Sequence, residues 1–302
     1  MYLYHFGLRE LPFTLTPNTE FFFGLPAHQE ALATLLTALK TGEGFIKVVG
    51  EVGTGKTLIC RKLLNDLPNH FVTAYIPNPY MNPEELRFAV ATELGVRTTG
   101  KPDQQQLTQR IQDKLLQLHQ KGHSVVLILD EAQALPEESL EALRLFTNLE
   151  TERRKLLQVV LFGQPELNAR LSGDALRQLR QRITFSYDLR ALNADEVFQY
   201  ISYRLKVAGS QLPELISMPV AKAIHRGSRG IPRLVNVLTH KALILAYGQG
   251  RHQLTRNDVR LAIEDTDDAT RSRLMIWSWF GVAAVSGCAV LLAWQFGLRG
   301  LL

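Results

Sequence analysis

The stretch VVGEVGTGKTLI at residues 48–59 constrains this chain more than any other, because Gly50, Gly53 and Gly55 crowd around Lys56 in one short turn. Gly50, Gly55, Lys56 and Thr57 satisfy the pattern G-x-x-x-x-G-K-[ST]. An apolar run at 45–49 precedes it and a helical stretch at 58–64 follows, which is the strand–loop–helix context a phosphate-binding loop requires. Glycines let backbone N–H groups turn inward around an anion, and the following helix points its positive end at the same place. The expected cradle is Gly50, Glu51, Val52, Gly53, Thr54, Gly55, Lys56, Thr57 and Leu58. Lys56 would reach the β- and γ-phosphates of ATP or another nucleoside triphosphate, and Thr57 would offer its hydroxyl to Mg²⁺. The plain alternative is a glycine-rich turn joining a strand to a helix.

A second motif narrows the choice. SVVLILDEAQ at 124–133 is an apolar run that ends in two carboxylates, the pattern of a buried parallel strand. Open α/β sheets bind ligands outside the carboxyl ends of their strands, so these acids would lie beside the phosphate loop. Asp130 suits the Mg²⁺-associated acid, and Glu131 the base that orients the attacking water.

Composition sets the frame. The chain has 302 residues, 46% hydrophobic and 21% charged, with a formal net charge of +5. That is an ordinary globular balance, and the positive excess could serve nucleic acid, an anionic membrane surface or solubility. Cys60 and Cys288 lie in very different segments, which indicates neither a disulfide framework nor a metal cluster and fits a reducing compartment.

The two ends differ. The opening MYLYHFGLRELPFTL carries His5, Arg9 and Glu10 and does not read as a signal peptide. Residues 274–298 carry no charged side chain, and as a helix rising about 1.5 Å per residue they would cross a hydrocarbon core roughly 30 Å thick. Trp277, Trp279 and Trp294 sit near the ends of that stretch, Arg271 and Arg273 precede it, and Arg299 follows. The expectation is one crossing, with the body in the bacterial cytoplasm and a short tail at 299–302 outside. A buried core helix is the alternative.

Between the ends, strand and helix signals alternate. Residues 71–76 and 155–167 read as strands. Helices are expected from 83 to about 94, from 103 towards Gly122 and from 137 to about 150, with Asn82 and Asp103 at the first two starts. After about 192 the signals are helical only, at 195–208, 219–225, 232–247 and 255–265. An α/β nucleotide domain followed by a helical lid resembles the AAA+ ATPases over roughly residues 26–266. The resulting division is an amino-terminal segment 1–25, an α/β parallel-sheet P-loop domain 26–192, an all-helical lid 193–270 and the membrane helix 274–298.

That resemblance implies further roles. Gln164 in LFGQPEL matches the polar residue that senses the γ-phosphate, its alternative being a strand-end hydrogen bond. Arg233 in GSRGIPRLVN matches the lid arginine that contacts the nucleotide. LRQLRQRITF offers Arg177, Arg180 and Arg182 for an arginine acting in trans, with Arg180 and Arg182 the preferred pair, and this implies a homo-oligomer. Solvated helix charge or binding of an acidic partner is the competing reading for each.

HFGLRELPFTLTPNTEFFFGLPAHQEALATL, LDEAQALP, LFGQPEL, LRQRI and GIPRLVN together resemble the general secretion pathway protein A family, and the layout of one ATPase body plus an anchor resembles its mannose-sensitive haemagglutinin (MSHA) pilus biogenesis branch. By that resemblance His28 and Glu30 would line the nucleotide base or the lid hinge, or else serve as helix-start groups. The implied function is an ATPase of the inner membrane supporting a type IV-like pilus or a type II secretion-type machine, with other membrane proteins of that system as partners. Larger relatives continue past the anchor into a peptidoglycan-binding region, whereas this sequence stops at Leu302, so mechanical output is expected at the cytoplasmic face or through partners. A DNA-binding adaptor of the transposition-helper type, which shares similar motifs, is the alternative. Only under it is DNA a partner.

Overall fold

The computed structural model describes residues 2–14, 19–98, 103–146, 155–212 and 215–269. The expected membrane span 274–298, its flanking tryptophans and arginines and the tail lie outside the described residues. Among the described residues, no helix is long and apolar enough to cross a membrane. Among the described residues the chain divides into two units, one between 14 and 191 with 231–233, the other of 2–13, those between 192 and 230, and 234–269.

The first unit is an α/β layer structure. In chain order it contains α1 (Pro26–Thr41), β1 (Phe45–Gly50), α2 (Lys56–Asp66), β2 (Phe71–Ile76), α3 (Pro83–Glu93), α4 (Gln104–Gln120), β3 (Ser124–Leu129), α5 (Glu137–Phe146), β4 (Leu157–Gly163), α6 (Pro165–Leu171), α7 (Arg177–Arg182) and β5 (Ile183–Leu189). The strands form one sheet in the order β2-β3-β4-β1-β5, parallel throughout. Parallel strands need crossovers, and the intervening helices supply them.

Alternation along each strand sorts its side chains between two cores. Val125, Leu127 and Leu129 of β3 pack with Leu86 and Val90 of α3, Leu107 and Ile111 of α4 and Leu140 of α5. Val126 and Ile128 face the other way, onto Leu35 of α1 and Ile59 and Leu63 of α2. Burial on both faces is why β3 reads as an apolar run from Val125 to Leu129 and β4 from Val159 to Phe162. The helix starts follow local rules: Asn82 accepts from the amides of Glu84 and Glu85, both at 2.9 Å, and Glu85 answers with a bond from the Asn82 amide, a capping box. Asp103 caps α4 through the Gln106 amide at 2.7 Å.

β5 has no counterpart in the sequence analysis, which takes ITF only as the end of an arginine-bearing stretch. Among the described residues it pairs only with β1, and its side chains are mostly exposed or half-buried, so the apolar run that betrays a central strand is missing.

The second unit is helical: α8 (Ala194–Val207), α9 (Met218–Ser228), most of α10 (Pro232–Gly248) and α11 (Arg256–Glu264). The described residues of the amino-terminal segment divide between the two units. Residues 2–13 join the helical unit, where Phe6 and Phe13 are buried. The Tyr2 hydroxyl meets His240 Nδ1 at 3.0 Å, the Arg9 amide donates to Ala208 O at 2.7 Å and Arg204 Nε donates to Pro12 O at 2.5 Å. Thr14 and residues 19–25 belong to the α/β unit.

Candidate nucleotide site

Three strand ends meet at the site: β1 runs into the glycine loop, β3 into Asp130 and Glu131, and β4 into Gln164. The loop needs its glycines. Gly53 and Gly55 have φ of +84° and +100°, a region costly for residues with a Cβ. A Cβ on Gly53 would stand 2.5 Å from the Cβ of Arg233, and one on Gly55 would stand 3.1 Å from His28 Cε1. The Thr54 hydroxyl donates to Glu51 O at 2.8 Å and folds the loop on itself.

Lys56 opens α2 and is almost fully buried. Its Nζ donates to Gly50 O at 2.7 Å and Glu51 O at 3.0 Å, across the mouth of the loop. Burial lowers its pKa, and Glu131, Asp130, Glu51 and Glu166 oppose that shift. Asp130 is 2% exposed. Burial raises its pKa, against hydrogen bonds from the Thr57 side chain and the Glu131 amide. Thr57 and Asp130 thus present a hydroxyl and a carboxylate to one another, a hard-oxygen pair suited to Mg²⁺, which takes few protein ligands and completes its shell with phosphate and water.

Glu131 adopts φ 54° and ψ 39°, left-handed for a residue with a side chain. Its Oε2 accepts from Gln133 Nε2 at 2.5 Å and from Gln164 Nε2 at 2.9 Å. Burial alone would raise its pKa, but the two amide donors and Lys56 outweigh it and hold the carboxyl below its ordinary value. The site therefore combines a cation, an acid pair and an amide donor around one strand-end rim. Such a set can bind a polyphosphate, carry a divalent cation and accept a proton from water.

The predicted residues do not all converge. Arg233 reaches the loop through its backbone, its amide donating to Gly53 O at 3.1 Å, and its side chain is exposed. Arg180 donates from Nη1 to Ser172 O at 2.8 Å and Leu171 O at 3.4 Å. With Arg182 it ends α7, immediately before β5, whose first residue Ile183 is in register with Phe45 at the start of β1. The arginine pair therefore sits at the opposite rim of the sheet from the loop. Glu30 accepts from the Tyr187 hydroxyl at 2.9 Å. His28 is neither a cap nor a surface group: it is 5% exposed, and its Nε2 bonds Thr54 O at 2.9 Å beneath the loop. With a carbonyl as partner, Nε2 carries the proton.

Sequence reasoning passed over Gln133 and Arg170. Gln133 Oε1 accepts from the Gln164 amide at 3.0 Å, and Gln133 O accepts from Arg170 Nη1 at 2.6 Å. The signal was present in DEAQ, where a second polar side chain follows the acids by two positions.

Comparison with known proteins agrees with this geometry. Residues 39–171 match the family described as an AAA domain. General secretion pathway protein A of Aeromonas hydrophila is 43% identical over 262 residues, 87% of this chain and 48% of that protein. The chain thus spans about half the length of this curated relative. Among solved structures, Cdc6p of Pyrobaculum aerophilum is similar with a TM-score of 0.62 at 20% identity, covering 82% of this chain and 70% of that one. The Aeropyrum pernix ORC2 protein, in its ADPNP–ADP complexes, gives 0.60 at 18% identity over 81% and 68%. The RuvB Holliday junction branch migration motor of Thermotoga maritima gives 0.54 at 17% over 86% and 75%. At such identities these structures speak for the fold alone. The loop, the acid pair and the sheet order thus go with a match to the AAA domain over residues 39–171 and an extended similarity to general secretion pathway protein A.

Proposed function

We propose that this chain binds and hydrolyses ATP to drive assembly of an envelope machine of the type IV pilus or type II secretion kind, the MSHA pilus included, from an anchor in the bacterial inner membrane. The observation that carries the hydrolytic part is the convergence of Lys56, Asp130, Glu131 and Gln164 at adjoining strand ends. The 43% identity to general secretion pathway protein A supports the secretion part, and the uncharged stretch 274–298 supports the anchor.

In this reading the loop amides and Lys56 bind the β- and γ-phosphates. Thr57 and Asp130 hold Mg²⁺, which supplies charge neutralisation on the phosphate oxygens when bound. Glu131 orients a water towards the γ-phosphate and takes its proton, and Gln164 donates its amide to the γ-phosphate oxygens. Arg233, on the first turn of α10, adds a cation beside the loop that its backbone amide meets at Gly53 O. Partners are further copies of the chain and other membrane proteins of the same machine.

The test is phosphate release by the full chain in detergent micelles, titrated in protein concentration with and without double-stranded DNA, beside a Glu131→Gln control. Turnover that needs Glu131, climbs with concentration and ignores DNA is the expected result. Severalfold, salt-dependent stimulation by DNA would move the adaptor reading ahead. Carbonate extraction of membranes checks the anchor separately, since a chain that washes off has none.

A further inference from the structure

Glu131 sits at φ 54° and ψ 39°, a left-handed conformation costly for a residue with a Cβ, and such a conformation persists only where its surroundings hold it. One neighbour, Gln133, ties this turn to the elements around it. Gln133 spends its amide donor on the Glu131 carboxylate, its amide oxygen on the Gln164 backbone N–H and its main-chain carbonyl on Arg170. It therefore joins the turn after β3 to α6 at two points, the start through Gln164 and the last turn through Arg170. The carboxyl end of α6 is pinned in turn by Arg180 at Ser172 O.

Gln164 and Gln133 donate to the same oxygen, Oε2 of Glu131, but they are not equivalent. In the hydrolytic reading the Gln164 amide also serves the γ-phosphate, so it cannot serve Glu131 alone. Gln133 makes no such second use of its donor. A neutral amide is also the right kind of group for this duty, since it orients a carboxylate without the charge of a lysine or arginine, which would tie the proton acceptor into an ion pair.

We propose that Gln133 is a positioning residue for hydrolysis, fixing the Glu131 carboxylate in place and being fixed itself by Arg170. This rests on the hydrolytic reading above, with Glu131 as the group that receives the water's proton. Arg170 acts at one further remove, by holding the Gln133 main chain.

The test uses the full chain in detergent micelles, with kcat and KM from phosphate release and affinity from a fluorescent ATP analogue. Gln133→Ala is expected to lower kcat roughly tenfold or more, since a displacement of about 1 Å at a reacting group is felt on that scale. KM and analogue affinity stay within about twofold, because nothing that binds nucleotide has been removed. Arg170→Ala lowers kcat by less, again at unchanged affinity. In a Glu131→Gln background, Gln133→Ala adds no further loss in single-turnover hydrolysis, as two changes acting through one carboxylate are not additive. If the alanine variant binds no nucleotide because the turn has collapsed, the isosteric Gln133→Glu, which replaces the donor by a like charge, must show the same selective loss of kcat. A Gln133→Ala chain with kcat within about twofold of the parent, or an added loss in the Glu131→Gln background as large as in the parent, overturns the proposal. A Glu131→Gln chain that turns over like the parent removes the hydrolytic reading itself, and the proposal goes with it.

Discussion

Lys56 concentrates the physics of the site in one side chain. Placing an ammonium group in a buried position is costly, and burial accordingly draws its pKa down, while Glu131, Asp130, Glu51 and Glu166 push it back up. Its nitrogen is held by two loop carbonyls, Gly50 O and Glu51 O. Replacing it by alanine removes the cation aimed at the phosphates but leaves the glycine loop, whose shape depends on Gly53, Gly55 and the Thr54 hydroxyl bond. Lys56→Ala is therefore expected to keep the thermal transition of the chain close to that of the parent while cutting turnover by roughly a hundredfold or more, the scale of losing one preorganised charge partner. Phosphate release at saturating ATP, beside a melting curve, checks this. A folded variant with parental turnover would mean that phosphate is held elsewhere.

At the scale of elements, stability is set by how each helix end disposes of its unpaired amides. α11 begins with Thr255 and Asp258 in a capping box, and Asp258 is fully buried, accepting from Arg251 Nη1 at 2.8 Å and Nη2 at 2.5 Å. Burial works against ionisation there, but Arg251 and Thr255 outweigh it and hold the carboxyl below its ordinary value. A depressed folded pKa contributes stability above the unfolded value of about 3.9, and that contribution is lost as pH falls through the folded value. Asp258→Asn is expected to cost about 2 kcal/mol at neutral pH, the worth of hydrogen bonds to a charged group, and the gap between variant and parent should close as the pH drops below 4. Denaturant titrations of the full chain at several pH values read both effects; a gap independent of pH would assign the loss to packing. The element scale is also where legibility differs most. β3 announced itself because both faces are covered, and α3 and α4 because Asn82 and Asp103 cap them by a local rule. The strand β5 did not, since an edge strand with one neighbour has little apolar surface to show. Residues 2–13 were legible as apolar but not as part of the helical unit, because that placement depends on contacts such as Arg204 to Pro12, far apart in sequence. Of the site, the loop and the acid pair could be read from spacing. Gln133 stands in DEAQ only as a polar residue two positions after Glu131, and its role lies in three hydrogen bonds that the folded strand ends bring together.

At the scale of the whole molecule, the arginines of α7 bear on how one chain works with another. β5 is seven residues long and runs parallel to β1, with Ile183 beside Phe45 and Leu189 beside Gly50. At roughly 3.3 Å per residue, Arg180 and Arg182 lie about 20 Å from the rim where the loop and the acids meet, beyond the reach of either side chain. If they contribute to hydrolysis, they do so in the site of another copy, and each site is then completed by two chains. This predicts complementation. A chain carrying both Arg180→Ala and Arg182→Ala keeps an intact site of its own but has no arginine to lend, whereas Glu131→Gln lends both and cannot use them. Each alone is expected to turn over slowly at any concentration, with analogue affinity like the parent's. Mixed, they should release phosphate faster than the sum of the two separate rates, and the gain should grow with total protein, because it depends on mixed contacts forming. The mixture also separates this role from the bond that Arg180 makes to Ser172 O, since loss of that internal tether would weaken the variant's own site and no partner could restore it. A mixture no faster than the sum assigns the arginines to their own chain, as supports for α6.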